Sequence, residues 1–272
     1  MKIGSTLQIL SLEMGLGCNL APLHPQCPNG LGSARYADLP KDIYLTDPVI
    51  VDVVRTFYSD FDFRGWVNFS FYNEPTLELA RLFRLVDAVR VVAPEVKFML
   101  LTNGTLLPAD LTPFKVFDWI GVTDYGHEQT PNPERLLALY DTVGMGHYTP
   151  EPRGVFVHTA KLDRRMRGLG VDRSDAPCVY PFKDLTIDFY GNAHLCCFDW
   201  RGQANLGNVL LDSIPVVLKR WEAVMRSISG QKMTPDAPES CRRCQAVRFQ
   251  KVDSLDMRAK RAAEEWLGGH HA

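Results

Sequence analysis

The chain of 272 residues is long enough for one α/β domain of moderate size with a small appendage, and its 46% hydrophobic residues are typical of a folded protein. Its 30 basic and 32 acidic residues give a formal net charge of −2 without a long block of like charge. A polyanion-binding surface is therefore not expected, and nucleic acid is excluded as the default partner.

The first residues and the cysteine content predict a cytoplasmic protein. Residues 1–17 alternate polar and apolar side chains and include Glu13, whereas a signal peptide needs an uninterrupted apolar core. No later apolar run approaches the roughly 20 residues that span a bilayer, so no membrane association is expected. In a reducing compartment, an odd set of seven cysteines favours metal ligation or redox chemistry over disulfide bonds.

Up to residue 172 the sequence alternates between strand-like and helix-like segments. In chain order we predict a strand over 7–15, a helix over 47–61, a strand over 65–75, a helix over 76–93, strands over 96–104 and 119–126, a helix from 133 to about 141, and a strand over 153–160. The first helix has Asp47 as its predicted N-cap and Pro48 in its first turn. Repeated βα units predict a parallel sheet whose functional residues lie at the carboxyl ends of the strands.

The character of the sequence changes after residue 172. Five of the seven cysteines fall between residues 175 and 247. A hairpin is predicted over 185–200 with its turn at Gly191-Asn192, followed by helices over 214–228 and 254–272. The predicted organisation is a core over residues 1–172, a small cysteine-rich domain over 173–250, and a C-terminal helix and tail over 251–272.

Four cysteines of the second part form a candidate ligand set. Cys241 and Cys244 have the C-x-x-C spacing of one edge of a tetrahedral site, while Cys178 and Cys196 flank the hairpin, which is able to bring them close. A structural zinc ion and an iron–sulfur cluster both fit this spacing, and inert buried thiols are a third interpretation. Cys197 points to the opposite face of its strand from Cys196, so only one of this pair is expected to face a metal.

A second candidate metal site lies in GLGCNLAPLHPQCPNG, residues 15–30. Cys18 begins CNL and Cys27 begins CPN, as in a three-thiolate cluster loop of the form C-N-L-x-C-x-x-C-P-N, but eight residues without a cysteine separate them. His24 stands three residues before Cys27, where the middle cysteine would be, and imidazole ligates iron in Rieske centres, where it raises the reduction potential. His24 is therefore the third ligand, a supporting residue of a site completed otherwise, or an exposed loop histidine.

Together these motifs resemble those of the radical SAM superfamily with a twitch domain, the shortened form of the SPASM extension. The array C-x12-G-x4-C followed by C-x2-C, with LGNV at 206–209 and a tryptophan-bearing helix between its halves, is similar to a twitch domain. FSFYNEPTL at 69–77 takes the place of the family's GEP motif, and LLTNGTLL at 100–107 resembles its TNG turn. The nearest resemblance is to the branch of 2-deoxy-scyllo-inosamine dehydrogenase-like enzymes.

The resemblance implies an α/β fold, a partial (β/α)6-type barrel with a small C-terminal hairpin-plus-helix twitch domain. It also implies two [4Fe–4S] clusters and S-adenosylmethionine (SAM) as cofactors. The implied metal ligands are Cys18, His24 and Cys27 for the first cluster and Cys178, Cys196, Cys241 and Cys244 for the second. The implied SAM contacts are Asn73, Glu74, Pro75, Thr102, Asn103 and Asp124. The alternative interpretations are a strand ended by proline for residues 73–75, a turn for Thr102 and Asn103, and a surface position for Asp124. Gln26 takes a position that is usually aromatic in the family and cannot stack on adenine.

The activity implied by the resemblance is oxidation of a small polar metabolite, a sugar or aminocyclitol alcohol, to a ketone, with the auxiliary cluster accepting an electron. Arg167 matches the place of an arginine presented to substrate, and a solvated basic loop is its alternative. An external one-electron reductant of the flavodoxin or ferredoxin type is the implied partner. The alternatives are a peptide-modifying radical SAM enzyme, an epimerase with Cys197 as hydrogen donor, and a non-catalytic member in which the twitch cysteines hold a structural metal.

Overall fold

The computed structural model describes residues 6–24, 27–29, 43–125, 133–144, 154–159, 178, 180–229 and 232–244. The described residues form a seven-stranded sheet with helices packed on it. In these ranges, no helix has both the length and the apolar character that crossing a bilayer requires. The predicted helix over 254–272 lies outside the described residues.

Short runs rich in aliphatic and aromatic residues build the sheet. The strands are β1 (Ile9–Leu12), β2 (Trp66–Asn68), β3 (Lys97–Thr102), β4 (Trp119–Asp124), β5 (Gly154–Thr159), β6 (Asp184–Ile187) and β7 (Ala193–His194). Their order is β5-β4-β3-β2-β1-β6-β7, with β1 to β6 parallel and β7 antiparallel to β6. The predicted α/β fold class with a parallel sheet is confirmed. The second strand is shorter than predicted, because it ends at Asn68.

The helices in the described ranges are α1 (Asp47–Phe61), α2 (Leu79–Val92), α3 (Pro133–Val143), α4 (Ile214–Ile228) and α5 (Glu239–Arg242). Between β3 and β4 the chain forms a short 3-10 helix over Thr112–Val116. The prediction of Asp47 as N-cap was wrong by one residue. Thr46 is the N-cap because its backbone is still extended, whereas Asp47 lies inside the first turn beside Pro48.

The predicted hairpin is present, and both of its strands belong to the main sheet. The prediction that Cys196 and Cys197 alternate along its second strand was wrong, because that strand ends at His194. β6 pairs in parallel with β1 over all four of its residues, and β7 returns antiparallel beside it. The turn between them is closed by the Gly191 amide, which donates to the Asp188 carbonyl at 2.9 Å, and Gly191 has a positive φ of 83°. The cysteine-rich part is therefore hydrogen-bonded to the strand that leads into Cys18. The domain boundary near residue 173 lies outside the described residues and stays a prediction.

One face of the sheet carries the main hydrophobic core. Leu10 and Leu12 of β1 are fully buried in one cluster with Phe57 of α1 and Val86 of α2. Burial of such a side chain contributes about 1.5–3 kcal/mol. This packing holds the sheet against its helices and thereby determines where the strand ends lie.

The opposite face of the strands combines a small apolar cluster with a polar network. The cluster contains Ile9, Trp66 and Met99. In the network, Ser11 Oγ donates to Asp184 Oδ1 at 3.2 Å, and Asn68 Nδ2 donates to Ser11 Oγ at 3.3 Å. Ser70 Oγ donates to Asn68 Oδ1 at 3.0 Å. Ser11, Asn68 and Ser70 are all buried. The interior beside β1, β2 and β6 is therefore lined with hydroxyl, amide and carboxyl groups.

Asp184 is the ionisable group of this network. Burial raises its pKa from 3.8 to about 6, and the hydrogen bond from Ser11 and the charge of Lys183 oppose this increase in part. The folded chain therefore holds a proton on Asp184 at pH values where the unfolded chain has released it.

The raised pKa of Asp184 makes the stability of the fold depend on pH, and we expect Asp184→Asn to remove this dependence. Because the unfolded state loses the Asp184 proton first, the stability of the wild type relative to the variant should fall between about pH 4 and pH 6 and level off above pH 6. A difference of about two pKa units corresponds to about 3 kcal/mol. Urea unfolding of both proteins across this range measures it, and a stability difference independent of pH contradicts the assignment.

Candidate functional site

The loop after β1 brings two predicted cluster ligands near each other. The Cys18 carbonyl accepts the Ala21 amide at 3.0 Å as a 3-10 helix begins, and the Cys27 amide donates to the His24 carbonyl at 2.9 Å. Burial raises the pKa of Cys18 to about 11, and the charges of Glu74 and Cys27 add to the increase. Because a metal replaces thiol protons and neutralises thiolate charge, this pair of sulfurs fits a bound cationic metal or cluster.

His24 lies inside the same loop with a buried side chain. It is 6% exposed, and its ring centre lies 4.9 Å from that of Tyr125 in an edge-to-face arrangement. The interpretation of His24 as a solvent-exposed histidine is therefore wrong, because the ring packs in the interior. Ligation of the cluster and support of a site completed otherwise both stay predictions. Gln26 lies outside the described residues.

The carboxylate of Glu74 joins the ends of two strands. Its Oε1 accepts the Thr76 amide at 3.1 Å, the Thr76 hydroxyl at 2.6 Å and the Thr102 hydroxyl at 2.7 Å, while its Oε2 accepts the Asn103 amide at 2.7 Å. The Glu74 amide donates to the Gly17 carbonyl at 2.7 Å. Burial raises the pKa of Glu74, and these hydrogen bonds oppose the increase in part. Glu74 therefore fixes the loops after β1, β2 and β3 to one another.

Asn73 stands where the motif that the sequence resembles has glycine, the residue that most readily adopts unusual backbone angles. The backbone at Asn73 does not require such angles. Among the described residues other than glycine, positive φ occurs at two positions, both elsewhere in the chain. The Asn73 side chain instead accepts the Phe71 amide at 3.1 Å and donates to the Phe69 carbonyl at 3.4 Å. It closes its own loop, after which Pro75 begins a 3-10 helix.

Thr102 and Asn103, predicted to contact SAM, are held beside the cluster loop. The Thr102 hydroxyl donates to Glu74, so its observed contact is with the motif carboxylate. The Asn103 side-chain amide donates to Asn19 Oδ1 at 2.9 Å and lies 4.0 Å from Cys18 Sγ, within reach of a weak N–H···S bond. These contacts place Asn103 beside Cys18 and Thr102 beside Glu74, and direct contact of either residue with SAM stays a prediction.

The last predicted SAM contact, Asp124, ends β4 and is partly buried. β4 pairs with β3 in parallel, so Asp124 lies at the same carboxyl edge as Thr102. Arg167 lies outside the described residues.

The four cysteines of the second predicted site come from separate elements. Cys196 follows β7, Cys241 lies in α5 with Cys244 just after it, and the Cys178 amide donates to the Ile228 carbonyl at the end of α4, at 2.8 Å. Burial raises the pKa of Cys196 and of Cys241, and the charge of Cys178 adds to the increase in both. The four thiols therefore lie close enough to one another for their charges to interact.

A metal fits this second site by the chemistry of its donors. Within the described ranges, no three His, Cys, Asp or Glu side chains already converge at metal-binding distance. Three of the thiols nevertheless interact through their charges, Cys241 with both Cys178 and Cys244, and burial disfavours the Cys241 thiolate. A bound metal or cluster removes that unfavourable charge, so the donor set suits one.

The sequence prediction missed Glu13 as a functional candidate. Its side chain is fully buried; Oε1 accepts the Tyr72 amide at 3.0 Å, and Oε2 accepts the Phe189 amide at 3.1 Å. Glu13 therefore ties the loop after β2 to the hairpin after β6. The available signal was an acidic residue directly after a buried strand, at its carboxyl end.

The pair of Asp188 and His194 was also missed. His194 Nε2 lies 2.9 Å from Asp188 Oδ2, and its Nδ1 lies 2.7 Å from the Asp199 carbonyl oxygen. Burial acts to lower the pKa of His194, but the Asp188 and Asp199 carboxylates outweigh it and raise that pKa. No local signal showed this pair, because the hairpin turn is what brings the two side chains together.

Comparisons with known proteins agree with this architecture. Residues 178–245 match the model of SPASM, described as an iron-sulfur cluster-binding domain. The segment that carries Cys178, Cys196, Cys241 and Cys244 therefore resembles a SPASM domain, and the chain combines it with the mostly parallel sheet described above. The predicted resemblance is confirmed at this level.

Among solved structures, the chain is similar to BtrN in complex with AdoMet and 2-DOIA, with 19% identity and a TM-score of 0.64 over 92% of this chain and 97% of that chain. It is also similar to selenomethionyl BtrN in an open conformation, with 16% identity and a TM-score of 0.58 over 83% and 87% of the two chains. At these identities the likeness establishes the fold. No curated protein matches the chain in sequence.

We expect Glu74→Gln to destabilise the chain by about 1–3 kcal/mol, because a glutamine turns one of the two acceptor oxygens into a donor that faces a buried donor. Chemical denaturation measures the loss. The control is Glu78→Gln, whose side chain is 48% exposed and lies 3.4 Å from Arg81, and whose effect should stay within about 0.5 kcal/mol. Equal stability of the two variants contradicts the role assigned to Glu74.

Proposed function

We propose that the chain is a radical SAM oxidoreductase that oxidises a sugar or aminocyclitol alcohol to a ketone. The observation that carries the proposal is the junction of Cys18, Cys27 and Glu74 at the carboxyl edge of a parallel sheet, in a chain that also bears a SPASM-type domain. When bound, a [4Fe–4S] cluster with an open iron, together with SAM, supplies a 5′-deoxyadenosyl radical by reductive cleavage of the sulfonium.

Two separate groups of residues are proposed to hold the two clusters. Cys18 and Cys27, with His24 as the proposed third ligand, hold the first cluster and leave one iron open. Cys178, Cys196, Cys241 and Cys244 hold the second through four thiolates. Full thiolate ligation suits electron transfer, because it leaves no vacant iron for a ligand.

The SAM site is proposed at the edge formed by Asn73, Pro75, Asn103 and Asp124. Glu74 and Thr102 position this edge through their mutual hydrogen bond of 2.7 Å. The similar BtrN structure, whose complex contains AdoMet, supports a SAM site within this fold.

The polar interior supports a small polar substrate. Ser11, Asn68 and Ser70 line the interior with hydroxyl and amide groups, and Asp184 adds a carboxyl. Such groups suit hydroxyl and amino substituents, and the BtrN complex contains 2-DOIA. Oxidation of a secondary alcohol removes a hydrogen atom from carbon, a proton from the hydroxyl, and one further electron. The four-cysteine site is the proposed destination of that electron.

An external one-electron reductant of the flavodoxin or ferredoxin type is the proposed partner. Each reductive cleavage of SAM consumes one electron at the first site, and this electron has to come from a reductant. The proposed reductant delivers this electron to the cluster held by Cys18 and Cys27.

Anaerobic reconstitution tests the proposal. The wild type should bind about eight iron atoms per chain and release 5′-deoxyadenosine on reduction with SAM. Cys241→Ser with Cys244→Ser should lower the iron content to about four and keep release of 5′-deoxyadenosine, whereas Cys18→Ser should abolish it. One zinc ion and no iron in anaerobically prepared wild type overturns the proposal.

A separate pair of variants tests the third ligand. His24→Ala should lower the iron retained by the first site and abolish SAM cleavage, whereas His24→Cys should retain iron, because a thiolate also ligates it. Replacing imidazole by thiolate should also lower the reduction potential of that site. If His24→Ala changes neither iron content nor SAM cleavage, His24 is not a ligand.

A further inference from the structure

Tyr72 makes a direct contact between the two predicted cofactor sites. It directly precedes Asn73-Glu74-Pro75, and its hydroxyl donates to the Cys197 carbonyl at 2.5 Å. Cys197 is the neighbour of the predicted ligand Cys196. Tyr72 is 7% exposed, so its side chain lies almost entirely inside the protein.

The backbone of Tyr72 is held from the side of the first cluster loop. Its amide donates to Glu13 Oε1 at 3.0 Å, and its carbonyl accepts Asn29 Nδ2 at 3.0 Å. Asn29 belongs to the CPN word that begins at Cys27, and it also donates to the Leu16 carbonyl at 2.8 Å. A shift of Tyr72 therefore disturbs the loops on both sides of the predicted SAM site.

The turn that receives the Tyr72 hydroxyl is itself well ordered by hydrogen bonds. The Asp199 amide donates to the Cys196 carbonyl at 2.9 Å, and Asp199 Oδ2 accepts the Leu195 amide at 3.2 Å. Next to it, the His194 ring lies 5.1 Å from the ring of Phe71, the residue before Tyr72. Phe71 and Tyr72 directly precede Asn73. Phe71 thus contacts His194, and Tyr72 contacts the turn that carries Cys196 and Cys197.

We propose that Tyr72 couples the auxiliary metal site to SAM binding. With the auxiliary site loaded, Cys196 is held by metal and the adjacent Cys197 carbonyl stays in place for the phenol. With that site emptied, the turn keeps only its own hydrogen bonds, the Cys197 carbonyl is held less firmly, and Tyr72 shifts together with the loop of Asn73 and Glu74. Such coupling is reciprocal, so SAM bound at the motif loop also orders the auxiliary turn. The inference rests on the proposed function, since it requires SAM and metal to occupy these sites.

The test is a cycle of variants in which SAM affinity is the readout. The wild type and Tyr72→Phe are reconstituted anaerobically, each with the auxiliary site intact or emptied by Cys241→Ser with Cys244→Ser, and the SAM dissociation constant is measured by equilibrium dialysis. Emptying the site should weaken SAM binding about tenfold in the wild-type background. In the Tyr72→Phe background, which keeps the ring and loses the hydroxyl, the loss should be below about twofold.

Tyr58→Phe is the matched control. The Tyr58 hydroxyl donates to Glu95 at 3.0 Å on the surface, so its removal should leave the full tenfold effect of emptying the site. Hydrogen exchange is a second readout: SAM should slow exchange of the amides over residues 194–199 in the wild type and not in Tyr72→Phe.

Two results separate this inference from the proposed function. If emptying the auxiliary site weakens SAM binding equally in both backgrounds, or not at all, the coupling through Tyr72 is refuted while the proposed function stands. If the intact wild type binds no SAM, the proposed function is refuted, and the coupling with it.

Discussion

The carboxyl edge of the sheet depends on one buried carboxylate. Glu74 accepts hydrogen bonds from Thr76, Thr102 and Asn103, and its amide reaches back to the Gly17 carbonyl. These donors offset part of the cost of burying the charged group and join three loops that are far apart in sequence. The positions of Cys18 and of the motif loop follow from this arrangement.

Burial acts in the same direction on three of the cysteines, and hydrogen bonds to their sulfurs offset its effect only in part. Burial raises the pKa of Cys18, Cys196 and Cys241, and neighbouring carboxylates or thiols add to the increase in each case. Without a metal, these three thiols therefore keep their protons, and metal binding has to displace them. A bound metal replaces several unfavourable charge interactions at once, so metal loading and the stability of both loops are linked.

A second buried carboxylate, that of Glu13, connects the parts of the chain that carry the two sets of cysteines. Glu13 bonds the backbone after β2 with one oxygen and the backbone after β6 with the other. Because β6 pairs with β1, the predicted cysteine-rich domain shares a sheet with the core. Both sites are thus anchored to the ends of neighbouring strands, and the contact of Tyr72 with the Cys197 carbonyl follows from that geometry.

The sequence determined the succession of strands and helices, the parallel sheet and the two groups of cysteines, because hydrophobic period, proline, glycine and cysteine spacing are local signals. It also marked the motif loop at Glu74 and the hairpin turn at Gly191. Only the tertiary structure decided that β6 joins the sheet beside β1, that the His24 ring is buried, and that Asn73 closes its own loop. The contacts of Glu13 and Tyr72 were likewise decided by residues far away in the sequence, as was the packing of the His194 ring beside Phe71. Pairing between distant strands and burial of polar groups arise from how the whole chain packs, which no short stretch of sequence encodes.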